Sequence, residues 1–177
     1  MRLFTGIALP AEARGPLLAL TEQLRPLANL AWTPEDKLHI TTKFIGEWPE
    51  SRLAELQQVL SAVSVSESVD IHIRRLGWMP NARFPLTLYA GVHMTGDLPR
   101  ATEELLEGLG ILIEKRIYRP HVTLGRIRRT GRDPIDALQS ALQHSSLDIA
   151  PFRATAFHLY LSANGTYTRL NDYQLPT

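Results

Sequence analysis

The sequence predicts an α+β domain, on three observations. About seven segments alternate apolar and polar residues as strands do, and about four carry apolar residues at helical spacing. In each half of the chain a strand holding the phrase His-aliphatic-Thr is followed by a helix, as though one unit had been duplicated. No linker, low-complexity stretch or charge block divides the 177 residues, a length that suits one domain or two intimately packed lobes and can bury a real core.

Residues 2–9 alternate weakly and stop at Pro10, reading as the first strand. Their apolar stretch is too short for a signal peptide. Residues 11–27 place Leu17, Leu18, Leu20, Leu24 and Leu27 on one helical face. Residues 37–45 form the first motif strand, closed by Gly46, and Pro49 opens a helix whose apolar face is Leu53, Leu56, Val59, Leu60 and Val63. Two strands follow at 69–74 and 86–92, with Pro80-Asn81 as a turn between them. A helix over 97–115 has acids early and Lys115 and Arg116 late, the order a helix dipole favours, though Gly108 and Gly110 weaken it locally. The second motif strand is 121–127, and Asp133-Pro134 opens the last helix through Leu142. A long strand over 149–161, an Asn164-Gly165 hairpin turn and a closing strand over 167–175 complete the chain.

Composition excludes several chemistries. Hydrophobic content of 44% and charged content of 21% are ordinary for a soluble globular protein. No apolar run approaches the roughly 20 residues needed to cross a bilayer. There is no cysteine, which removes disulfides, thiolate metal sites and a cysteine nucleophile, and fits a cytoplasmic protein. No His-x-x-x-His or His-Glu-x-x-His spacing supports zinc, and no Gly-x-x-x-x-Gly-Lys loop supports ATP.

The net charge of +1 announces no nucleic-acid partner. Locally, Lys115, Arg116, Arg119, Arg126, Arg128, Arg129 and Arg132 crowd into 18 residues with no acid among them. A solvated face in a chain that prefers arginine to lysine is the bland explanation. The functional one is an electrostatic funnel toward a phosphate-bearing ligand.

The chemistry rests on His39-Ile40-Thr41 and His121-Val122-Thr123, 82 positions apart. Residues two apart on a strand share a face, so each imidazole stands beside a hydroxyl. Phosphodiester hydrolysis needs a base to deprotonate water and an acid to protonate the departing oxygen. Histidine does either, since its ordinary pKa is about 6.5. Hydroxyls held nearby can meet the negative charge that gathers on the phosphate oxygens. His72, His93, His144 and His158 lack this context and are expected to be structural, His144 at a helix end where a cation is favourable.

Nearly end to end, the chain resembles the 2H phosphoesterases, and within them the bacterial and archaeal RNA 2′,3′-cyclic phosphodiesterases, historically called 2′-5′ RNA ligases. The resemblance is carried by Leu38-His39-Ile40-Thr41-Thr42-Lys43-Phe44-Ile45-Gly46-Glu47 and Arg119-Pro120-His121-Val122-Thr123-Leu124-Gly125-Arg126. The Arg2-Leu3-Phe4 opening and the closing Tyr167-Thr168-Arg169-Leu170 support it. It implies a bilobal α+β fold over residues 1–177, two antiparallel β-sheets around a central cleft with helices outside, pseudo-twofold duplicated, its lobes intertwined. It implies no metal and no cofactor. His39 would be the proton donor to the leaving 3′ oxygen and His121 the proton acceptor that activates water. Thr41, Thr123 and Arg126 would bind the phosphate, leaving a 2′-phosphate, with 2′-5′ ligation as the reverse reaction. The implied partners are RNA ends or tRNA fragments carrying a 2′,3′-cyclic phosphate, met by a cytoplasmic monomer that engages no membrane.

Thr42 and Lys43 stand where the family often has an aliphatic and a small residue. Lys43 shares parity with His39 and is expected to reach the cleft. Arg126 has the opposite parity to His121, so an ideal strand turns it away unless Gly125 permits a bulge. Other readings stay open: small cyclic nucleotides, 2′-5′ oligoadenylates or ADP-ribose cyclic phosphate as substrates, or an RNA-end-binding protein. The last would want aromatics along a basic groove, whereas Tyr118 alone lies in the basic stretch and Trp32, Trp48 and Trp78 are scattered.

Overall fold

The computed structural model describes residues 1–128 and 135–176. Its strands and helices run β1 (Arg2–Ala8), α1 (Ala11–Leu24), β2 (Leu30–Trp32), β3 (His39–Glu47), α2 (Leu53–Ser61), β4 (Val69–Pro80) and β5 (Pro85–Met94). There follow α3 (Leu98–Glu107), β6 (His121–Ile127), α4 (Asp136–His144), β7 (Phe152–Ala154), β8 (Ala156–Ala163) and β9 (Thr166–Gln174).

All strand pairs are antiparallel. They form two four-strand arrays, β7-β4-β5-β6 and β3-β1-β8-β9, with β2 added beside β6. The arrays meet between β6 and β3, where a single pair, Ile40↔Val122, is in register. The two expected sheets are thus the halves of one nine-stranded sheet that is pinched at its centre. The chain builds the first half with β1 and β3, crosses to make the second, and returns through β8 and β9.

One face of the sheet carries Leu3, Ile7, Ile40, Ile71, Ile73, Leu88 and Val122, all at most 1% exposed, in a common core with Leu17, Leu56, Leu60, Leu106 and Leu138 from the helices. Burying each such side chain contributes about 1.5–3 kcal/mol. With the helices spent on that face, the polar residues between these core positions are left on the other.

Four departures from the sequence reading have local causes. Helix α3 ends at Glu107, well short of Lys115, because Gly110 takes a left-handed φ of 84°. The Gly110 amide then donates to Glu107 and the Ile111 amide to Leu106, which closes off the last carbonyls of the helix. Lys115 and Arg116 consequently sit in a loop rather than at a helix end. The strand expected over 149–161 is two strands broken at Thr155, since β7 pairs with β4 in one half and β8 with β1 in the other. β2 has three residues, too few to leave a periodic signature. Finally, Pro49 precedes a short 3-10 turn, Glu50–Arg52, before α2 begins.

The Asn164-Gly165 turn is as expected, with both residues at positive φ (51° and 70°), as a two-residue hairpin requires. Arg129 and Arg132 of the basic run, and the helix start expected at Asp133-Pro134, lie outside the described residues.

β4 holds one further irregularity. Ile73 faces Val92 and Leu76 faces Ala90, so Arg74 and Arg75 together oppose only Gly91. Arg75 sits at φ 64°, a conformation that costs a non-glycine residue about 1–3 kcal/mol.

Candidate active site

One step either way from the Ile40↔Val122 pair, antiparallel geometry brings His39 level with Thr123 and Thr41 level with His121. Ile40 and Val122 are fully buried on the helix side, so alternation puts both imidazoles and both hydroxyls on the open face. The four side chains form a set related by a pseudo-twofold through that pair. All four line one cleft of about 630 Å³.

Both rings are oriented in the same way. His39 Nδ1–H donates to the Lys37 carbonyl at 2.7 Å, and His121 Nδ1–H to the Arg119 carbonyl at 2.8 Å. A carbonyl only accepts, so Nδ1 keeps its proton and Nε2 is the atom that gains or loses one. His39 Nε2 lies 3.0 Å from Thr41 Oγ1. Room for the His39 ring comes from Gly6, where a Cβ would fall 2.8 Å from the Ile40 carbonyl and 3.4 Å from the ring itself.

Both motif strands carry an extra residue just past the threonine. Gly6 faces Thr41 and Thr5 faces Lys43, leaving Thr42 unopposed in β3. Tyr89 faces Thr123 and Leu88 faces Gly125, leaving Leu124 unopposed in β6. Such a bulge reverses the alternation beyond it. Thr42 and Lys43 are therefore buried in succession, as are Leu124 and Gly125, and the residues after them, Phe44 and Arg126, turn into the cleft. The bulge that could re-aim Arg126 exists, and Arg126 lines the site.

The same device overturns the expectation for Lys43. Its side chain is buried away from the cleft, paired with Glu103 of α3 and donating to the Leu112 carbonyl at 2.9 Å. Burial alone would push the Glu103 carboxyl up. The Lys43 ammonium and the Glu114 amide outweigh it and hold that carboxyl below its ordinary value.

Burial lowers the pKa of both motif histidines, against the raising effect of their carbonyl partners. The positive charge of Arg126 lowers both further, and His121 adds to the effect on His39. The walls differ. The His39 ring is enclosed by Phe4, Tyr160 and Tyr167, with centroids 5.0, 6.1 and 5.3 Å away. His121 has one aromatic neighbour, Tyr89, edge-on at 5.7 Å.

Of the described residues of the basic run, only Arg126 is among those lining this cleft. Among the described residues its other cations, Arg2 and Lys37, come from elsewhere in the chain. Lys37 also donates to the Gly165 carbonyl, tying the β8–β9 hairpin to the entry of β3. Sequence reasoning missed Arg2, Lys37, Phe44 and Tyr167. Lys37 and Phe44 stand in the predicted first motif strand, and Arg2 and Tyr167 in the opening and closing stretches that support the resemblance. Tyr118 acts as a tie, its hydroxyl donating to the Thr41 carbonyl at 2.8 Å, with its pKa raised by burial. Trp48 and Trp78 are core residues, while Trp32 lines the cleft.

The other histidines sit outside the cleft: His72 against Asp148, His158 2.8 Å from Asp172, and His144 in the last turn of α4 bonded to the Ser140 carbonyl. Among the described residues no three His, Cys, Asp or Glu are grouped so as to hold a metal ion. No helix among them is long and apolar enough to cross a membrane.

Comparison with known proteins gives this arrangement a family. The LigT-like phosphoesterase family matches residues 7–89, which contain the first motif. The RNA 2′,3′-cyclic phosphodiesterase of Thermus thermophilus is 31% identical over 135 residues, 71% of this chain and 68% of the relative. That of Methanocaldococcus jannaschii is 26% identical over 165 residues, 92% and 91% of the two chains. The solved structure of TT0787 of Thermus thermophilus superposes with a TM-score of 0.74 at 25% identity, covering 98% of this chain and 97% of that one. Identity at this level over two thirds of a relative, on a fold shared from end to end, means that the chain belongs to the LigT-like phosphoesterases, enzymes of the two-histidine (2H) family.

Proposed function

We propose that the chain hydrolyses RNA 2′,3′-cyclic phosphate ends to 2′-phosphates, without a metal, by acid and base catalysis at His39 and His121. The observation that carries this reading is the pair of imidazoles with Nδ1 pinned to a carbonyl and Nε2 left to exchange protons, both lining one cleft. The relatives named above act, by their names, on the same phosphate.

His121 Nε2 takes a proton from water as the oxygen attacks phosphorus. The bond from phosphorus to the 3′ oxygen breaks, and protonated His39 delivers its Nε2 proton to that oxygen. The phosphate remains on the 2′ oxygen, and the two rings exchange protons with solvent before the next turnover. Thr41, Thr123 and Arg126 meet the charge gathering on the non-bridging oxygens. With the 5′ hydroxyl of a second strand attacking in place of water, the same steps in the same direction join RNA through a 2′-5′ linkage. Because one chain supplies both halves of the site, a cytoplasmic monomer suffices.

Both rings have lowered pKa values, so near neutrality the base is ready but the acid lacks its proton. The negative charge of a bound phosphate favours the protonated form and restores it. The test is a short RNA ending in a 2′,3′-cyclic phosphate, incubated with the protein and EDTA. The expected product is a monophosphate that resists a 3′-phosphate-specific phosphatase. Loss of turnover in EDTA, or release of phosphate by that enzyme, overturns the reading.

A further inference from the structure

On the same open face, beyond β5, lies a second cavity of about 380 Å³. Arg74, Arg75, Leu76, Tyr89, Val92 and His93 line it. Tyr89 joins it to the active site, since this ring also stands edge-on to His121. Gly91, directly opposite His121 in the β5–β6 pairing, is the residue that the Arg74–Arg75 bulge of β4 opposes on its other side. The bulge is therefore two strand spacings from the catalytic strand, about 10 Å.

Three local features hold this pocket open. The positive φ of Arg75 lets two consecutive arginines stand exposed on a strand that would otherwise alternate. At Gly77 a Cβ would fall 2.6 Å from the Tyr89 hydroxyl, so only glycine lets that ring lie across β4. At Gly91 a Cβ would fall 3.0 Å from the Arg74 carbonyl, so glycine keeps the passage between His121 and the bulge free of side chain. Among the described residues neither arginine has a carboxylate partner. Asp148, whose backbone bridges to Arg74, has its carboxylate on His72. An aromatic face beside two unpaired guanidinium groups, in line with a phosphate site, is the combination that holds single-stranded nucleic acid: stacking for a base and charge for the backbone.

We propose that the Arg74–Arg75–Tyr89 pocket is a subsite for the RNA strand on the 5′ side of the reacting end, with backbone phosphate against the arginines and a base on Tyr89. This deepens the function proposed above and rests on it. It also separates the candidate substrates, because a cyclic mononucleotide fills the catalytic cleft and leaves the subsite empty.

The experiment compares kcat/KM for a nucleoside 2′,3′-cyclic monophosphate with that for a short RNA ending in the same nucleotide. Both are measured with the wild type and with Arg74→Gln/Arg75→Asn, asparagine being tolerant of positive φ. The wild type is expected to favour the RNA by tenfold or more. The double variant loses most of that preference while its rate on the mononucleotide is unchanged, which also reports that it is folded. Removing two phosphate contacts should flatten the slope of log kcat/KM against log salt for the RNA by about 1.4. Should the double variant lose mononucleotide turnover, Arg75→Gly, which keeps the backbone conformation, replaces it in the same comparison. An unchanged preference and slope overturn the subsite and leave the cyclic phosphodiesterase reading intact. If the wild type turns over neither substrate, that reading fails instead. Anisotropy of a fluorescein-labelled RNA of the same length then judges the subsite alone: weaker binding by the double variant supports it, equal binding overturns it.

Discussion

The strands that carry the two histidines have the same backbone and different surroundings. In β3 and β6 alike, His-x-Thr is followed by a bulge, two successive buried residues and a third that turns back to the cleft. At that third position β3 presents Phe44 and β6 presents Arg126. The contrast continues outward. His39 is walled by Phe4, Tyr160 and Tyr167, whereas His121 faces a floor of Tyr89 and Gly91 with arginines beyond. Duplicated geometry places two imidazoles and two hydroxyls symmetrically about one cleft. Its asymmetric dressing puts three rings around His39, with Arg2 and Lys37 on the same side, and Arg126 past the bulge of β6.

The largest expected effect falls on what the halves share. His39→Ala and His121→Ala should each lower kcat by about 10²–10⁴, the range for loss of a general acid or base. The double variant should be little worse than the poorer single one, because the two act in one step. Steady-state hydrolysis of a cyclic phosphate measures this. A single variant retaining near-wild-type kcat would break the symmetry of roles.

The next effect falls on what they do not share. Arg126→Ala removes a donor aimed at developing charge and should cost about 10² in kcat. Phe44→Ala, at the matching position, should leave kcat within a few-fold and raise KM, since a ring can hold substrate but cannot neutralise a phosphate. Equal losses in kcat from both variants would mean that the difference between Phe44 and Arg126 at the matched position has no chemical meaning.

This pairing also marks what was legible in the sequence. The motif strands, the hairpin at Asn164-Gly165 and the shared face of each histidine and its threonine follow from local pattern, because alternation and turn chemistry act over a few residues. Strict alternation points Lys43 into the cleft and turns Arg126 out of it unless Gly125 permits a bulge, and a bulge is set by the neighbouring strand, which no local window contains. The parity of Lys43 pointed into the cleft; Thr42, unopposed by β1, sends it into the helix layer to meet Glu103. Of the described residues of the basic run, Arg126 alone lines the cleft. Sequence proximity to His121 does not place a side chain in the cleft, while Arg2 and Lys37 arrive there from distant stretches. Helix α3 was overrun because its apolar spacing continues past Gly110. A left-handed glycine outranks periodicity once its amide has a carbonyl to cap.

The smallest effect tests whether the different walls have an electrostatic consequence. Burial lowers the pKa of His39 and of His121 in the folded chain, while in the unfolded chain both return to about 6.5. Below that value the unfolded chain binds more protons than the folded one, so stability rises with pH there. Each histidine's contribution is therefore present above pH 6.5 and lost as pH falls through its depressed folded value. Melting temperature measured between pH 5 and 8 should drop on the acid side, and replacing either ring by Gln should shrink the drop. His39→Gln should shrink it more, because closer enclosure and a second imidazole both oppose its charge, whereas His121 has, among the described residues, one aromatic neighbour. Inorganic phosphate should oppose the drop in the wild type, since an anion between the rings favours their protonated forms. Equal flattening by the two Gln variants would mean that the aromatic enclosure of His39 shapes the cleft without setting its protonation. The acid in the mechanism would then be chosen by the geometry of the bound phosphate alone.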